Sequence, residues 1–352
     1  MNNFLSLQQN IFQLITQKIE SFLKNNICDK ILQIIPITNS GSNRNYYRIF
    51  TAPNSYILTE SNFIQENKSF IYFDKLFKKN QINVPHLIAV NEDFTLYLQE
   101  DIGNIALLDV LQKEGFNNNS YQLYKESLSQ LAFLQIKTRG LVDYTKCYDF
   151  QIFRDRLVLN DLFYFKDFFI ERLNIPYKKS QLINEFFQIG EKFNSFENSY
   201  FLFRDFQARN IYIKNDKPYF IDFQGGMQGY LGYDLVSLIF QAKANLPEAW
   251  QNDLKNHYVN IFIQQGLISE KKFEQQYEMS LILRFLQILG AYGLRGLVEK
   301  KAHFLESIIH HFKNLELLIK KDLLKTYPEI RRLLEFIISN EGKKTIEQII
   351  KK

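Results

Sequence analysis

Apolar residues recur at helical spacing over residues 4–25, at Leu7, Ile11, Leu14, Ile15, Ile19 and Phe22, which predicts a leading helix. The period then changes to that of strands. Residues 31–37 and 46–50 read as two strands, and Thr38-Asn39-Ser40-Gly41-Ser42-Asn43 between them consists largely of turn residues. A third strand over 55–59 follows Ala52-Pro53-Asn54. A helix over about 63–79 presents Phe70, Phe73, Leu76 and Phe77 on one face. A segment starting at Val84-Pro85 reaches 88–90, and Asn91-Glu92-Asp93 turns the chain into a strand over 94–99.

Past Glu100-Asp101-Ile102-Gly103 the pattern becomes helical, with helices expected near 107–114, 121–138, 150–173, 179–195, 234–244, 247–265, 270–298, 302–321 and 328–350. One island interrupts them: residues 211–213 and 219–221 flank Lys214-Asn215-Asp216-Lys217-Pro218, a hairpin signal. The expected fold class is therefore α+β. A small β-rich N-terminal lobe with its leading helix takes residues 1–100, and a large, mainly helical C-terminal lobe takes 101–352.

Composition narrows the class. With 46% apolar and 23% charged residues in 352, the chain is an ordinary folded protein of about two domains. Forty-three basic against 38 acidic residues leave a net +5, a weak field without a basic block, so no nucleic-acid partner is expected. The two cysteines, Cys28 and Cys147, lie in no metal-type or CxxC spacing, which excludes a disulfide framework and suits a reducing cytoplasm. No uninterrupted run of apolar residues approaches membrane-spanning length, so no membrane association is expected. A monomer is favoured.

The hairpin is framed by polar residues. Phe203-Arg204-Asp205-Phe206-Gln207-Ala208-Arg209-Asn210 precedes it, and Asp222-Phe223-Gln224-Gly225-Gly226 follows. A two-stranded hairpin brings its outer ends together, so Asp205, Asn210 and Asp222 are expected at one mouth. Asn210 and Asp222 are oxygen ligands suited to Mg²⁺ bridging phosphates. Asp205 is placed to accept a proton from an attacking hydroxyl. The bland alternative is that these residues only cap loops.

The pattern resembles the aminoglycoside-phosphotransferase/choline-kinase branch of the protein-kinase-like fold. Within it, the chain is most similar to the bacterial cell-wall-recycling kinases that phosphorylate N-acetylmuramate and N-acetylglucosamine. The resemblance runs from about residue 30 to 320 and rests on 42–48, 98–103, 204–210, 221–224 and Tyr233-Asp234-Leu235-Val236-Ser237-Leu238. It implies a two-lobed, ATP- and Mg²⁺-dependent small-molecule kinase. Asp205 would be the catalytic base, Asn210 and Asp222 the metal ligands, and Asp234 a brace for the catalytic loop. Gly41, Ser42 and Asn43 would cover the ATP phosphates with backbone N–H groups. Glu100 and Ile102 would pair with the adenine edge.

Two departures stand out. Phe203 replaces the usual histidine before Arg-Asp, and the third strand lacks the lysine expected to grip the phosphates, whose usual partner would be Glu66. Arg44 and Arg48 are the substitute cations offered by the sequence. Arg209, Gln224, Asp161 and Tyr164 are candidates for the acceptor. The expected acceptor is a small-molecule hydroxyl, foremost of an amino sugar. An aminoglycoside or choline-type acceptor and an inactive pseudokinase are the alternatives.

Overall fold

A computed structural model describes residues 17–37 and 44–350. Most of the expected leading helix and the whole 38–43 loop, with Gly41, Ser42 and Asn43, lie outside the described residues.

Helix α1 (residues 17–26) leads into a five-stranded antiparallel sheet of β1 (Ile31–Ile37), β2 (Asn45–Thr51), β3 (Ser55–Glu60), β4 (Leu87–Val90) and β5 (Leu96–Glu100), in the order β1-β2-β3-β5-β4. Strand alternation divides its side chains between two faces. Ile49, Leu58, Leu96 and Leu98 meet Phe22 and Leu23 from α1, and Ile27 just after it, to form a small core of their own. On the other face, Thr59 is registered between Tyr46 and Tyr97.

Tyr97 stacks on Phe70 of α2 (Ile64–Lys79), with ring centroids 4.8 Å apart. The aromatic face of α2 then continues into the large lobe. Phe70 lies 5.0 Å from Phe223, and Phe73 and Phe77 each lie 5.1 Å from Phe201. Helix α2 therefore shares the main hydrophobic core with the helical lobe, while the sheet keeps a separate one.

The large lobe comprises α3 (Leu107–Glu114), α4 (Asn118–Thr138), α5 (Asp155–Phe165), α6 (Lys179–Asn194), α7 (Tyr233–Ile239), α8 (Glu248–Gln264), α9 (Glu270–Tyr292), α10 (Ala302–Lys320), α11 (Pro328–Ile338) and α12 (Asn340–Ile350). Helix α5 crosses α9 at two glycines. A Cβ on Gly290 would sit 2.7 Å from Tyr164 Cδ1, and one on Gly293 only 2.0 Å from the Phe168 carbonyl oxygen. At this crossing both helices widen into π turns, over Lys166–Ile170 and Gly293–Val298. The segment 270–298 is the one described helix long and apolar enough to cross a membrane, and 67% of its most apolar stretch is packed inside the lobe.

Several expected boundaries move for identifiable reasons. The helix expected over 150–173 begins at Asp155, because Gln151 and Phe153 hydrogen-bond to the backbone of Gln228. The one expected over 234–244 ends at Ile239, and the Gln241 side chain accepts from Ala208 N–H. The one expected over 328–350 breaks at Ser339, whose hydroxyl accepts from Gly342 N–H. Strands β6 (Tyr200–Leu202) and β9 (Met227–Gly229) pair with each other and were not expected, being too short for a period of two to show. The hairpin forms from β7 (Ile211–Lys214) and β8 (Lys217–Phe220). Its turn, Asn215-Asp216, has φ of 52° and 58°, the left-handed pair that a tight hairpin demands.

Candidate active site

Strand β6 delivers the chain into a strained turn. Arg204 has φ of 72°, a conformation that persists only when its surroundings fix it. Asp234, in the first turn of α7, provides that constraint, accepting hydrogen bonds from Phe203 N–H at 2.8 Å and Arg204 N–H at 2.9 Å. The Arg204 guanidinium donates to Asp161 Oδ1 at 2.5 Å. Phe203 is buried against Phe201, Phe206 and Phe220, so the position of the usual histidine is filled by core packing.

The turn presents the carboxylate of Asp205, 48% exposed at its side chain. Gln207 Nε2 and Arg284 Nη2 each donate to its Oδ1 at 3.1 Å. Burial opposes its ionisation, but Arg284, Arg209 and Arg204 outweigh that and hold its pKa below the usual carboxylate value.

The outer ends of the hairpin do converge. Asn210 Nδ2 donates to the Asp205 carbonyl at 3.0 Å and to Asp222 Oδ2 at 3.1 Å. Ile221 N–H donates to the Asn210 carbonyl. Asp222, with φ of 62°, is a second strained residue, and Gln224 Nε2 donates to its Oδ1 at 2.7 Å. Burial raises the Asp222 pKa, and the negative charge of Asp205 raises it further, against Gln224, Arg209 and Arg44. Such a pair of crowded acids favours an added cation. The Asn210 amide spends both hydrogen bonds from Nδ2, so its Oδ1 is the atom left to accept. That donor set fits Mg²⁺ completed by phosphate oxygens. Among the described residues no group of three His, Cys, Asp or Glu side chains could hold a metal by itself.

On the sheet side, Arg44 is buried and its Nη2 lies 2.9 Å from Glu66 Oε1 on α2. Arg48 is held elsewhere. Its Nε lies 2.8 Å from Asp101 Oδ2, and its Nη2 donates to the Gly103 carbonyl at 3.0 Å, fixing β2 to the connector. The Glu100 side chain pairs with Lys214 of β7 at 2.6 Å, and Ile102 is buried.

Beside Asp205 opens a cavity of about 390 Å³. Its floor includes Arg204, Asp205, Asp222 and Gln224; α5 supplies Asn160, Asp161 and Tyr164; α9 supplies Arg284, Gln287 and Ala291. The Gly290 contact is what lets these two helices approach. Of the sequence-derived acceptor candidates, Asp161, Tyr164 and Gln224 line this cavity, and Arg209 is exposed outside it. Arg284 was missed. Its signal was available: a lone cation in the apolar run Met279-Ser280-Leu281-Ile282-Leu283-Arg284-Phe285-Leu286 must find a partner when buried. Here it finds Asp205 and Gln287 Oε1, at 2.8 Å from the latter, and lies over the Tyr233 ring.

Residues 33–266 match the Phosphotransferase enzyme family (APH). The chain belongs to this family. It is 23% identical over 315 residues to an N-acetylmuramate/N-acetylglucosamine kinase of Pseudomonas aeruginosa, covering 87% of this chain and 88% of the relative. A kinase of the same name from Neisseria meningitidis is 24% identical over 232 residues, covering 64% of this chain and 66% of that one. Among solved structures, a choline kinase from Streptococcus pneumoniae superposes with a TM-score of 0.57 at 13% identity, covering 88% of this chain and 99% of that one. An ADP-bound aminoglycoside phosphotransferase gives 0.54 at 14% identity, covering 89% and 98%. These neighbours establish the protein-kinase-like fold that the motifs led us to expect. The chain is a phosphotransferase of the APH family.

Proposed function

We propose that this phosphotransferase is an ATP- and Mg²⁺-dependent kinase that phosphorylates a hydroxyl of an amino sugar of the N-acetylmuramate/N-acetylglucosamine type. The observation that carries the reading is the joining of Asp205, Asn210 and Asp222 by one amide beside a polar cavity. Asn210 and Asp222 would hold the metal, whose charge offsets that of the phosphates. Asp205 accepts the proton as the acceptor oxygen forms its bond to the γ-phosphorus and the bond to the β-phosphate oxygen breaks, releasing ADP. Arg44 supplies the phosphate-facing cation in place of the absent strand lysine. Arg48, engaged at the connector, serves lobe geometry instead.

The cavity's charge supports this acceptor class. Asp161 is paired with Arg204, and Asp205 with Arg284. Once Asp222 takes a metal, only Asp149 is left as an unmatched acid among the lining residues. A polycationic aminoglycoside finds little to hold it there, while amide, phenol and carboxamide side chains suit a neutral or anionic polyhydroxylated ring. The names of the relatives favour the same choice. The test is an ADP-release assay with N-acetylmuramate, N-acetylglucosamine, plain hexoses, choline and kanamycin, each with and without Mg²⁺. Metal-dependent turnover of the N-acetylated sugars is expected, and turnover confined to kanamycin or choline refutes the amino-sugar reading. ATP binding without turnover of any acceptor favours a pseudokinase.

A further inference from the structure

The loop between α4 and α5 adds a wall to the acceptor cavity apart from the helices and the ends of the hairpin. It contributes Tyr148 and Asp149. Tyr148 is 44% exposed, although it lines a cavity beside the base. The other two aromatic residues there offer less: Phe203 is 2% exposed, and Tyr164 is half-buried with its ring 4.8 Å from Phe168.

This exposed ring is not on a loose tip. Before it, Asp143 N–H donates to the Tyr72 hydroxyl at 2.6 Å, and the Lys146 carbonyl accepts from the Ser69 hydroxyl at 2.6 Å. The Cys147 thiol donates to the Gly226 carbonyl at 3.3 Å. After it, the Gln151 carbonyl and Phe153 N–H both bond to the backbone of Gln228, at 2.9 and 2.8 Å. Only residues 148–150 are left between two anchored stretches. Two of the anchors, Ser69 and Tyr72, stand on α2, about one and two turns beyond the Glu66 that pairs with Arg44. Partial burial raises the Tyr148 pKa, with the charges of Glu66 and Asp149 adding to it and those of Arg44 and Arg204 opposing it.

A pinned aromatic face left open to water in a polar cavity is a surface prepared for a ligand, since ordering it before binding lowers the entropy cost of capture. We propose that Tyr148 is a specificity-determining residue whose ring packs against the C–H face of the acceptor sugar and presses its hydroxyl towards Asp205. This inference rests on the amino-sugar reading for the identity of the ring. Tyrosine suits the position because its body is apolar while its hydroxyl can still hydrogen-bond. Helix α2 then serves both substrates, through Glu66 at the nucleotide end and through Ser69 and Tyr72 at the acceptor end.

The experiment compares the full chain with Tyr148→Phe and Tyr148→Ala, using N-acetylglucosamine and N-acetylmuramate at saturating Mg²⁺-ATP. Exposure of the side chain makes both variants foldable, which thermal melting checks. A packing surface predicts that Tyr148→Phe stays within about twofold of the parent in kcat/KM for the sugar. Tyr148→Ala should lose roughly tenfold or more, through the acceptor KM, with the ATP KM unmoved. Parent-like acceptor kinetics in Tyr148→Ala overturn the proposal. So does Tyr148→Phe falling as far as alanine, or an ATP KM that rises with that of the acceptor. If the parent enzyme uses a different acceptor from the same panel, the amino-sugar reading fails alone, and the same comparison on that acceptor decides the role of Tyr148. Turnover of no acceptor overturns both.

Discussion

Arg44, at the entry to β2, is paired with Glu66 on α2 at 2.9 Å, across the boundary between the two hydrophobic cores. The cation that meets the α2 carboxylate thus comes from β2, while β3, Ser55–Glu60, offers none. The positive charge of Arg44 also opposes, more weakly than Gln224 and Arg209 do, the rise that burial gives the Asp222 pKa. Because α2 is locked to Phe223 by a stacked ring and to Phe201 by edge-on rings, Glu66 is a fixed point against which the sheet is registered.

Arg44→Ala is therefore expected to lower kcat/KM for ATP by roughly ten- to a hundredfold, the size of a lost charge-assisted contact, while the acceptor KM changes little. Arg44→Lys should recover part of the loss, since a point charge replaces a planar fork. Steady-state kinetics with each substrate varied decide this, and unchanged ATP kinetics in Arg44→Ala would remove Arg44 from the nucleotide site.

Asp205→Asn should retain nucleotide binding and lower turnover by about 10²–10⁴-fold, as expected of a lost general base. The carboxamide keeps an oxygen for Arg284, so the turn that Asp234 braces should survive. Calorimetric ATP affinity beside single-turnover rates gives the answer. Near-parent turnover would exclude the role.

Asp222→Ala should weaken Mg²⁺-ATP binding far more than binding of metal-free adenosine. The lost group is the carboxylate that accepts from Asn210 and Gln224, proposed here as a metal ligand rather than an adenine contact. Equal losses for both ligands in calorimetry would mark Asp222 as structural.

Gly293→Ala tests the crossing of α5 and α9. The new methyl would start 2.0 Å from the Phe168 carbonyl oxygen, a backbone atom that cannot swing away. A destabilisation of about 1–3 kcal/mol is expected, as for overpacking. It should come with a raised acceptor KM, because Tyr164 and Gln287 line the cavity from these two helices. Denaturant melts and acceptor kinetics measure both effects. A stable variant with parent kinetics would show that the helices can separate freely.

Asp74 on α2 gives a pH signature. Burial raises its pKa to about 7, against the Leu87 backbone N–H and the nearby Lys78 and Lys75. A carboxyl whose pKa is raised on folding favours the protonated native state. The stability it lends is present below about pH 4 and lost as pH rises towards about 7. Asp74→Asn mimics the neutral form. It should raise stability at pH 8 by on the order of 2 kcal/mol relative to the parent and change it little at pH 4. Denaturant unfolding at the two pH values tests this; an equal effect at both would show that Asp74 does not change charge on folding.

The order of elements and the meeting of Asp205, Asn210 and Asp222 were legible because each is written in local pattern. Strand and helix periods separate the two lobes, and a hairpin's own geometry carries Asp205, Asn210 and Asp222 to one mouth whatever surrounds it. Asp234 as the brace was expected from the resemblance carried by 233–238 rather than from any local rule, and it does accept from Phe203 and Arg204 N–H. Other features depend on which surfaces meet. No local rule says that Arg44 reaches Glu66 while Arg48, four residues on, bonds to Asp101, or that α2 belongs to the core of the other lobe. The buried Arg284 announced only that it needed a partner; the crossing at Gly290 and Gly293 chose Asp205. Tyr148 was silent in the sequence, since one tyrosine among 20 acquires meaning only when loop anchors hold its ring at the wall of a cavity. Periodicity encodes the elements, and contacts between residues tens of positions apart, paid for by burial, decide where their side chains work.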